Sequence, residues 1–547
     1  MQEKVEIAID FGTSTTSIRC RQQGRIINPV ELPNQNNVMD SLFEVKDDSV
    51  IFSPVKLTGR NYLHNIKRLL GKSREDCSES EMENIYGATV VYDENGKPYF
   101  SVGVGMGRNK TFKRVDPEQC LVALFRHCVD VVQRKLDKKP TSCCLSIPNY
   151  IPDRARRLMK QAAREVGIPC SFMIKEPTAA GVQFFNDVKE GNTVIPKIRE
   201  NENVLVFDFG GGTLDLTVMY RVGSRVVIRA QGGDPNLGGS EIDKLIVKYV
   251  ETSFQELNGH ALLPASNGDR YVRRYNKLLQ VCCDAKVALS NADSVVINIP
   301  DDLVSDEDET TKFTLTRVVF ENSILKDVME RCRMAIALLL EQNNISVTSI
   351  GHVIMVGGSS KIPAIRNMMQ SMRCVMPSKD PQTVVVEGTM IASVEDIVDS
   401  YLEEVLECDL ACKTGDTFTK HIHAGTIYPT RANSYYRLTA NSAGSTCMEL
   451  PVYRWLSDHW HQECAIILDT KSFSKGGFFI QTQIRLEVSV DRDGELHYKV
   501  YDCNGNSLIG SSSLQLHSPV CFMNPSPELA DSRFLASLPL LNLFDYG

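Results

Sequence analysis

No stretch of this chain is apolar for long enough to span a membrane. The run Met334-Ala335-Ile336-Ala337-Leu338-Leu339-Leu340 stops far short and follows Arg331 and Arg333. Positive charge is not in excess either: a formal net charge of −8 gives neither a nucleic acid nor an anionic membrane a reason to bind. The acidic run from Asp301 to Glu309 reads as a solvated loop. A basic, cleavable leader is missing, since Val5-Glu6-Ile7-Ala8-Ile9 runs straight into a glycine turn, so the expected location is the cytoplasm, with the nucleus as the alternative. Seventeen cysteines without such a leader imply reduced thiols rather than a disulfide framework. Pairs such as Cys143-Cys144 and Cys282-Cys283 suit small apolar packing. Cys408-x3-Cys412 followed by His421-x-His423 departs from zinc spacing, and the two histidines are expected on one strand face.

What is present is material for several domains: 547 residues, 42% apolar and 23% charged. One phosphate-binding pattern occurs twice. Ile9-Asp10-Phe11-Gly12-Thr13-Ser14-Thr15 returns as Phe207-Asp208-Phe209-Gly210-Gly211-Gly212-Thr213-Leu214-Asp215. Each copy is an apolar strand, an acid at its end and a tight turn into another strand. Glycine lets backbone N–H groups approach a phosphate closely, and the Thr and Ser hydroxyls add donors. The aspartates can hold Mg²⁺ directly or through water. One such turn could be an ordinary hairpin; two predict twin lobes gripping one metal–nucleotide, Mg–ATP or Mg–ADP. A third element, Val353-Ile354-Met355-Val356-Gly357-Gly358-Ser359-Ser360-Lys361-Ile362-Pro363, is a buried strand, a Gly-Gly turn and a helix with proline in its first turn, which suits a flat adenosine. Gly103-x-Gly105-x-Gly107 precedes no helix at the required distance and is taken as a flexible turn.

Residues 1–395 alternate strands and amphipathic helices, an α/β pattern. Thr141 to Pro148 reads as a buried strand, and Asp153 caps a helix from Arg154 to Val166. Asp116-Pro117-Glu118 opens another helix. Lys175 to Gly181 starts one rich in small residues, and Asn186 to Asn203 reads as a loop joining the lobes. A linker is expected over 396–412 and a β-domain over 413–515, with strands at Thr417–Ile422, Tyr435–Thr439, Ile480–Val490 and Glu495–Tyr501. The last two flank Asp491-Arg492-Asp493-Gly494, a hairpin signal. Residues 516–547, with Pro519, Pro525, Pro527 and Pro539, read as a poorly ordered tail.

The three nucleotide elements together resemble the actin/hexokinase/DnaK superfamily and, within it, the seventy-kilodalton heat-shock chaperones. Ile66-Lys67-Arg68-Leu69-Leu70-Gly71 is similar to the family's catalytic-lysine segment. Ile174-Lys175-Glu176-Pro177-Thr178-Ala179-Ala180 looks like its hinge glutamate segment. Ile147-Pro148-Asn149-Tyr150 with Arg156 looks like its proline switch, and Gly233-Asp234-x-x-Leu237-Gly238-Gly239 like the turn into the upper second lobe. The resemblance implies a two-lobed, actin-like (ribonuclease H-like) ATPase domain followed by a small β-sandwich. It implies ATP/ADP and Mg²⁺, with K⁺ as a further ion. Asp10 and Asp208 would orient the metal. Gly12, Thr13, Ser14, Thr15, Gly210, Gly211, Gly212 and Thr213 would cradle phosphates, and Lys67, Glu176, Thr213 and Asp215 would serve hydrolysis with both aspartates. Gly238, Gly239, Lys286, Ser290, Gly357, Gly358, Ser359 and Lys361 would line the nucleoside.

Implied partners are extended client peptides, J-domain co-chaperones and exchange factors. The alternatives are a nucleotide-dependent regulator and a small-molecule kinase. Where the family's adenine-facing helix offers an acid, a lysine and an arginine, this chain reads Cys283, Lys286 and Val287, then Ser290; Lys361 stands for an arginine and Gln382 for an acid. These departures predict weakened adenine affinity, since an ammonium lacks the planar fork that stacks. The linker Leu402-Glu403-Glu404-Val405-Leu406-Glu407 is heavily acidic, which puts its coupling in question. The β-domain likeness rests on Ala424 to Thr430 and Pro451-Val452-Tyr453, with Pro451 expected at a strand end or edge. Too few residues follow for a helical lid.

Overall fold

The computed structural model describes residues 5–32, 38–46, 49–56, 62–77, 87–104, 111–191, 198–223, 225–263, 269–305, 308–369, 372–377, 379–393, 402–406, 409–414, 417–423, 426–439, 447–456, 459–469, 481–491 and 496–501. Cys408, Gly105, Gly107 and the 516–547 tail lie outside them, as do the readings made there.

The first lobe is built on β1 (Glu6–Phe11), β2 (Thr15–Gln22), β3 (Arg25–Ile27), β4 (Ser142–Ile147) and β5 (Cys170–Lys175), in the order β5-β4-β1-β2-β3. β1 runs antiparallel to β2 and parallel to β4. The helix α1 (Pro117–Leu136) starts with a reciprocal cap between Asp116 and Gln119, with Pro117 in its first turn. In α2 (Asp153–Glu165) the cap position is held by Pro152, and Asp153 falls inside the first turn, one step later than expected. Gly167, at φ +83°, follows its C-terminus.

The second lobe repeats the arrangement. β6 (Asn203–Phe209), β7 (Leu214–Val222), β8 (Arg225–Asp234), β9 (Ile350–Val356) and β10 (Cys374–Val375) run β10-β9-β6-β7-β8, with β6 antiparallel to β7 and parallel to β9. The sequence duplication is thus a duplication of sheet topology. Nearly every side chain of β1 and β6 is buried, as for central strands covered on both faces.

The lobes exchange helices. α3 (Glu176–Lys189) leaves the first lobe, and its Ala179, Ala180 and Val182 share a core with Val204, Val206, Met219 and Ile354 of the second. Past α4 (Gly239–Asn258), α5 (Asp269–Leu289), α6 (Lys326–Gln342) and α7 (Pro363–Met368), α8 (Val384–Ala392) returns, placing Val386 and Met390 against Ala8 and Cys144. A side chain at Gly388 would collide with the carbonyl of Ala179, so the small residues let the two crossing helices touch. α3 also runs to Lys189, so the stretch read as a loop from Asn186 begins as helix.

β11 (Leu402–Val405), inside the stretch read as linker, adds to the edge of the second lobe's sheet: Val226 pairs with Leu402 and Val227 with Glu403. β12 (Leu410–Thr414) starts within that stretch too. β13 (Thr417–Ile422) follows, then β14 (Ile427–Tyr428), which pairs with β11, and β15 (Thr430–Thr439), β16 (Cys447–Leu456), β17 (His459–Asp469), β18 (Gln481–Val490) and β19 (Leu496–Tyr501). Sheets β13-β12-β16-β17 and β15-β18-β19 bury one shared core containing Leu410, Val452, Ile484 and Leu486. The two strands read as flanking Asp491–Gly494 pair antiparallel, with Val490 opposite Leu496, while 492–495 lie outside the described residues. Pro451 sits mid-strand in β16, not at its end, just past the last rung with β12, Cys412–Val452, so its missing N–H breaks no bond on that side.

Candidate functional site

The acids close the strands of both lobes. Asp10, opposite Ser17 on the β1–β2 ladder, accepts a hydrogen bond from Ser146 Oγ on β4 at 2.7 Å. Asp208 and Asp215 face each other across the β6–β7 ladder. Asp215 accepts from Thr213 Oγ1 at 2.7 Å and from the backbone N–H of Asn149 at 2.8 Å. The Asn149 amide also donates to the carbonyls of Leu216 and Gly232, each at 3.1 Å, so the Pro148-Asn149 loop is stitched to the second lobe. Lys67, on the short turn Ile66–Leu69, pairs with Glu176 at the start of α3 and lies 5.9 Å from the Phe11 ring. The sequence-predicted catalytic set is therefore brought together from five separate segments.

Its electrostatics are those of acids taken out of water. Burial first, then the Glu176 charge, pushes Asp10 up to about 7. The same causes push Asp215 up to about 6 and hold Asp208 well above the usual carboxylate range. Oxygen donors of this kind suit a hard divalent cation. Among the described residues no three acidic, His or Cys side chains converge closely enough to ligate one ion directly. That donor set fits Mg²⁺, which keeps several of its own waters.

The phosphate turns face each other across the lobes. A Cβ at Gly212 would lie 2.5 Å from Thr13 Oγ1, and one at Gly211 would strike Ser14 Oγ. Gly12 is required by its own turn, where a Cβ would sit 2.5 Å from the Thr15 carbonyl oxygen. Gly357, at φ +81°, would carry a Cβ 2.8 Å from Asp208 Oδ1. The remaining predicted residues gather on the second lobe. Ser359 Oγ donates to the Gly210 carbonyl at 2.8 Å, and Lys286 Nζ donates to the Gly239 carbonyl at 2.9 Å while pairing with Asp243 at 2.8 Å. Gly238 abuts Gly212, where a Cβ would come 2.6 Å from its nitrogen. Ser290 lies in the turn that ends α5. Lys361 is held by Asp380 at 3.0 Å and by Gln382 Oε1 at 3.1 Å, beside Gly358. The lysine that replaces the expected arginine is thus anchored by neighbouring acid and amide groups.

Sequence reading missed Ser146, Asn149, Arg68, Glu241 and Asp243. All lie inside or next to quoted segments, but only the fold shows which carboxylate or carbonyl each meets. The two histidines read as sharing a strand face do not. The register shift between Leu410 and Ala411 makes His421 the extra residue of a β-bulge, turning it onto β15. There His421 Nδ1 meets Ser434 Oγ and its Nε2 meets the Tyr436 hydroxyl, each at 2.6 Å, whereas His423 lies 3.5 Å from Asp409.

A family model described as Hsp70 protein matches residues 55–497. The chain is 27% identical over 453 residues to "Chaperone protein dnaK" of Thalassiosira pseudonana, covering 80% of this chain and 70% of that protein. It is 26% identical over 524 residues to "Heat shock 70 kDa protein 7, chloroplastic" of Arabidopsis thaliana, covering 92% and 68%.

Proposed function

Because the chain belongs to the Hsp70 protein family, whose nucleotide domain has the actin-like ATPase fold, we propose that it is a chaperone that hydrolyses ATP to control its grip on extended apolar peptides. The observation that carries this reading is the convergence of Lys67, Glu176, Asp10, Asp208 and Asp215 beneath two phosphate turns that face each other. Asp10 and Asp208 would hold Mg²⁺, which when bound would supply the positive charge that phosphates require. Thr13, Ser14, Gly211, Gly212 and Thr213 cradle the phosphates with N–H and hydroxyl donors. Lys67 offsets charge developing on the transferred group, while Glu176 and Asp215 accept hydrogen bonds from the attacking water. Gly239, Lys286, Ser290, Gly358, Ser359 and Lys361 line the nucleoside, and Lys361, tied to Asp380, gives the base a weaker partner than a stacked guanidinium.

Residues 1–395 form the nucleotide domain in this reading, and the β-domain opens at Leu410, where β12 begins. Strand β11, docked on β8, supplies a physical connection between them. J-domain proteins and exchange factors are the proposed partners. The proposed location is the cytoplasm, which fits the lack of any disulfide among the described cysteines. Among the described residues no helix is long and apolar enough to cross a membrane.

The test is fluorescence anisotropy of a labelled extended apolar peptide with Mg–ADP and then Mg–ATP. Weaker binding and faster release with ATP are expected. Equal binding in both states would favour the nucleotide-dependent regulator instead.

A further inference from the structure

The outer face of the sheet β13-β12-β16-β17 is aromatic where a solvated sheet face is ordinarily polar. Along β12, Leu410 and Cys412 enter the shared core, so Ala411 and Lys413 lie on the opposite face. The ladders set Tyr453 and Lys420 opposite Ala411 and Phe418 opposite Lys413. The Phe418 ring stacks on Trp460 at 4.9 Å with planes 9° apart, and meets Tyr453 edge-on at 5.0 Å. Such reach across intervening strands is allowed by the small Ala411, which is completely covered. Lys413 Nζ lies 5.4 Å from the Phe418 ring centre and Lys420 Nζ 6.0 Å from that of Trp460. Lys420 also pairs with Asp409.

β13 is the edge of this sheet: among the described residues no strand pairs with its other side. Thr417 to Lys420 run regularly against β12, and the bulge at His421 ends that regularity. An edge of this kind presents a row of backbone donors and acceptors to a guest strand. Phe418 and Lys420 are two residues apart and share the aromatic face. A guest strand therefore sets one side chain beside the Phe418 ring and another, two positions away, beside the Lys420 ammonium.

We propose that the β13 edge takes an extended peptide by strand addition, selecting an apolar or aromatic residue with Asp or Glu two positions from it. The proposal rests on the peptide-binding reading above and adds the place and the charge preference. A single-stranded nucleic acid could also stack on such rings. The open backbone edge, whose donors and acceptors a peptide backbone can pair and a nucleic acid cannot, favours a peptide.

The chain has two tryptophans, Trp455 and Trp460, so Trp455→Phe in the full chain leaves Trp460 as the reporter. Nine-residue peptides alternating Phe with Asp or Phe with Lys are titrated at low salt, alongside oligothymidine. Expected are a change in Trp460 emission and affinity about fivefold higher for the Asp peptide, the reach of one exposed ion pair. N-methylation in one phase of alternate amides should abolish binding, and in the other phase spare it. Lys413→Gln with Lys420→Gln should erase the preference, while Lys420→Arg should keep it, with far-UV dichroism checking the fold. Equal or reversed charge preference, binding without any Trp460 response, or N-methylation without effect would overturn the inference alone. Binding of oligothymidine in place of either peptide overturns it in favour of nucleic acid. Failure of all peptides to bind removes the peptide-binding reading as well.

Discussion

The Arg68 guanidinium donates to the carbonyl oxygen of Gly212, 2.6 Å away, tying the turn that carries Lys67 to the phosphate turn of the other lobe. Its second hydrogen bond goes to Glu241 Oε1 at 2.8 Å, on the helix that follows Gly238-Gly239. Both contacts cross the cleft. Arg68→Ala removes a charged donor from two acceptors on the far lobe. By the usual worth of such bonds, Mg–ADP affinity should fall about tenfold or more. Isothermal calorimetry measures it, and an unchanged dissociation constant would show that the contact does not bear on lobe closure.

Asp208→Asn and Thr213→Ala should each lower hydrolysis by orders of magnitude. The first removes a buried charge from the metal-facing cluster, and the second removes the hydroxyl that donates to Asp215. Both leave backbone and shape unchanged, so far-UV dichroism should stay close to that of the unsubstituted protein. Ordinary turnover in either purified variant would remove the site assignment.

The carboxylate cluster sets a pH dependence with a definite sign. Asp10 is pushed up to about 7 and Asp215 to about 6, against an ordinary value of 3.8. Between those limits the folded protein holds more protons than the unfolded chain, so stability falls as pH rises from about 4 through about 7. In metal-free protein Asp10→Asn should flatten that fall, because the amide does not ionise. Melting temperatures of both proteins measured across the window check this; identical slopes would mean that Asp10 ionises freely.

His421 contributes the opposite slope. Burial holds it down to about 4 against 6.5, with Ser434 and Tyr436 facing its two ring nitrogens and Cys412 beyond Tyr436. The unfolded chain takes up this proton near 6.5 and the folded one only near 4, so the contribution is complete above the upper value and lost as pH falls toward the lower. The stability advantage of the unsubstituted chain over His421→Gln should therefore shrink on acidification through that window. Urea titrations followed by the fluorescence of Trp455 and Trp460, both in the β-domain, measure it. A constant difference across the window would show that His421 titrates normally.

Much of this was legible in the chain. The doubled Asp-Phe-Gly pattern predicted twin lobes, and the lobes share one strand order. The α1 start followed from Asp116-Pro117 because a cap and a first-turn proline act within a few residues. The bulge at His421 was not legible, since an extra residue in a strand appears only against its partner's register. Which of the two readings held for Pro451, strand end or edge, was not legible for the same reason: it lies mid-strand at a local edge, because the ladder with the neighbouring strand ends one rung earlier.

Sequence by itself determined which residue types stand at each turn, where the glycines had to be, and which segments carry acids at strand ends, because these depend on local backbone sterics and short-range chemistry. Only the tertiary structure decided that Lys67 meets Glu176, that Arg68 spans the cleft, that Lys361 is held by Asp380, and that Phe418 stacks on Trp460. Those contacts join residues far apart in the chain, and their geometry is fixed by strand register and by helices exchanged between lobes.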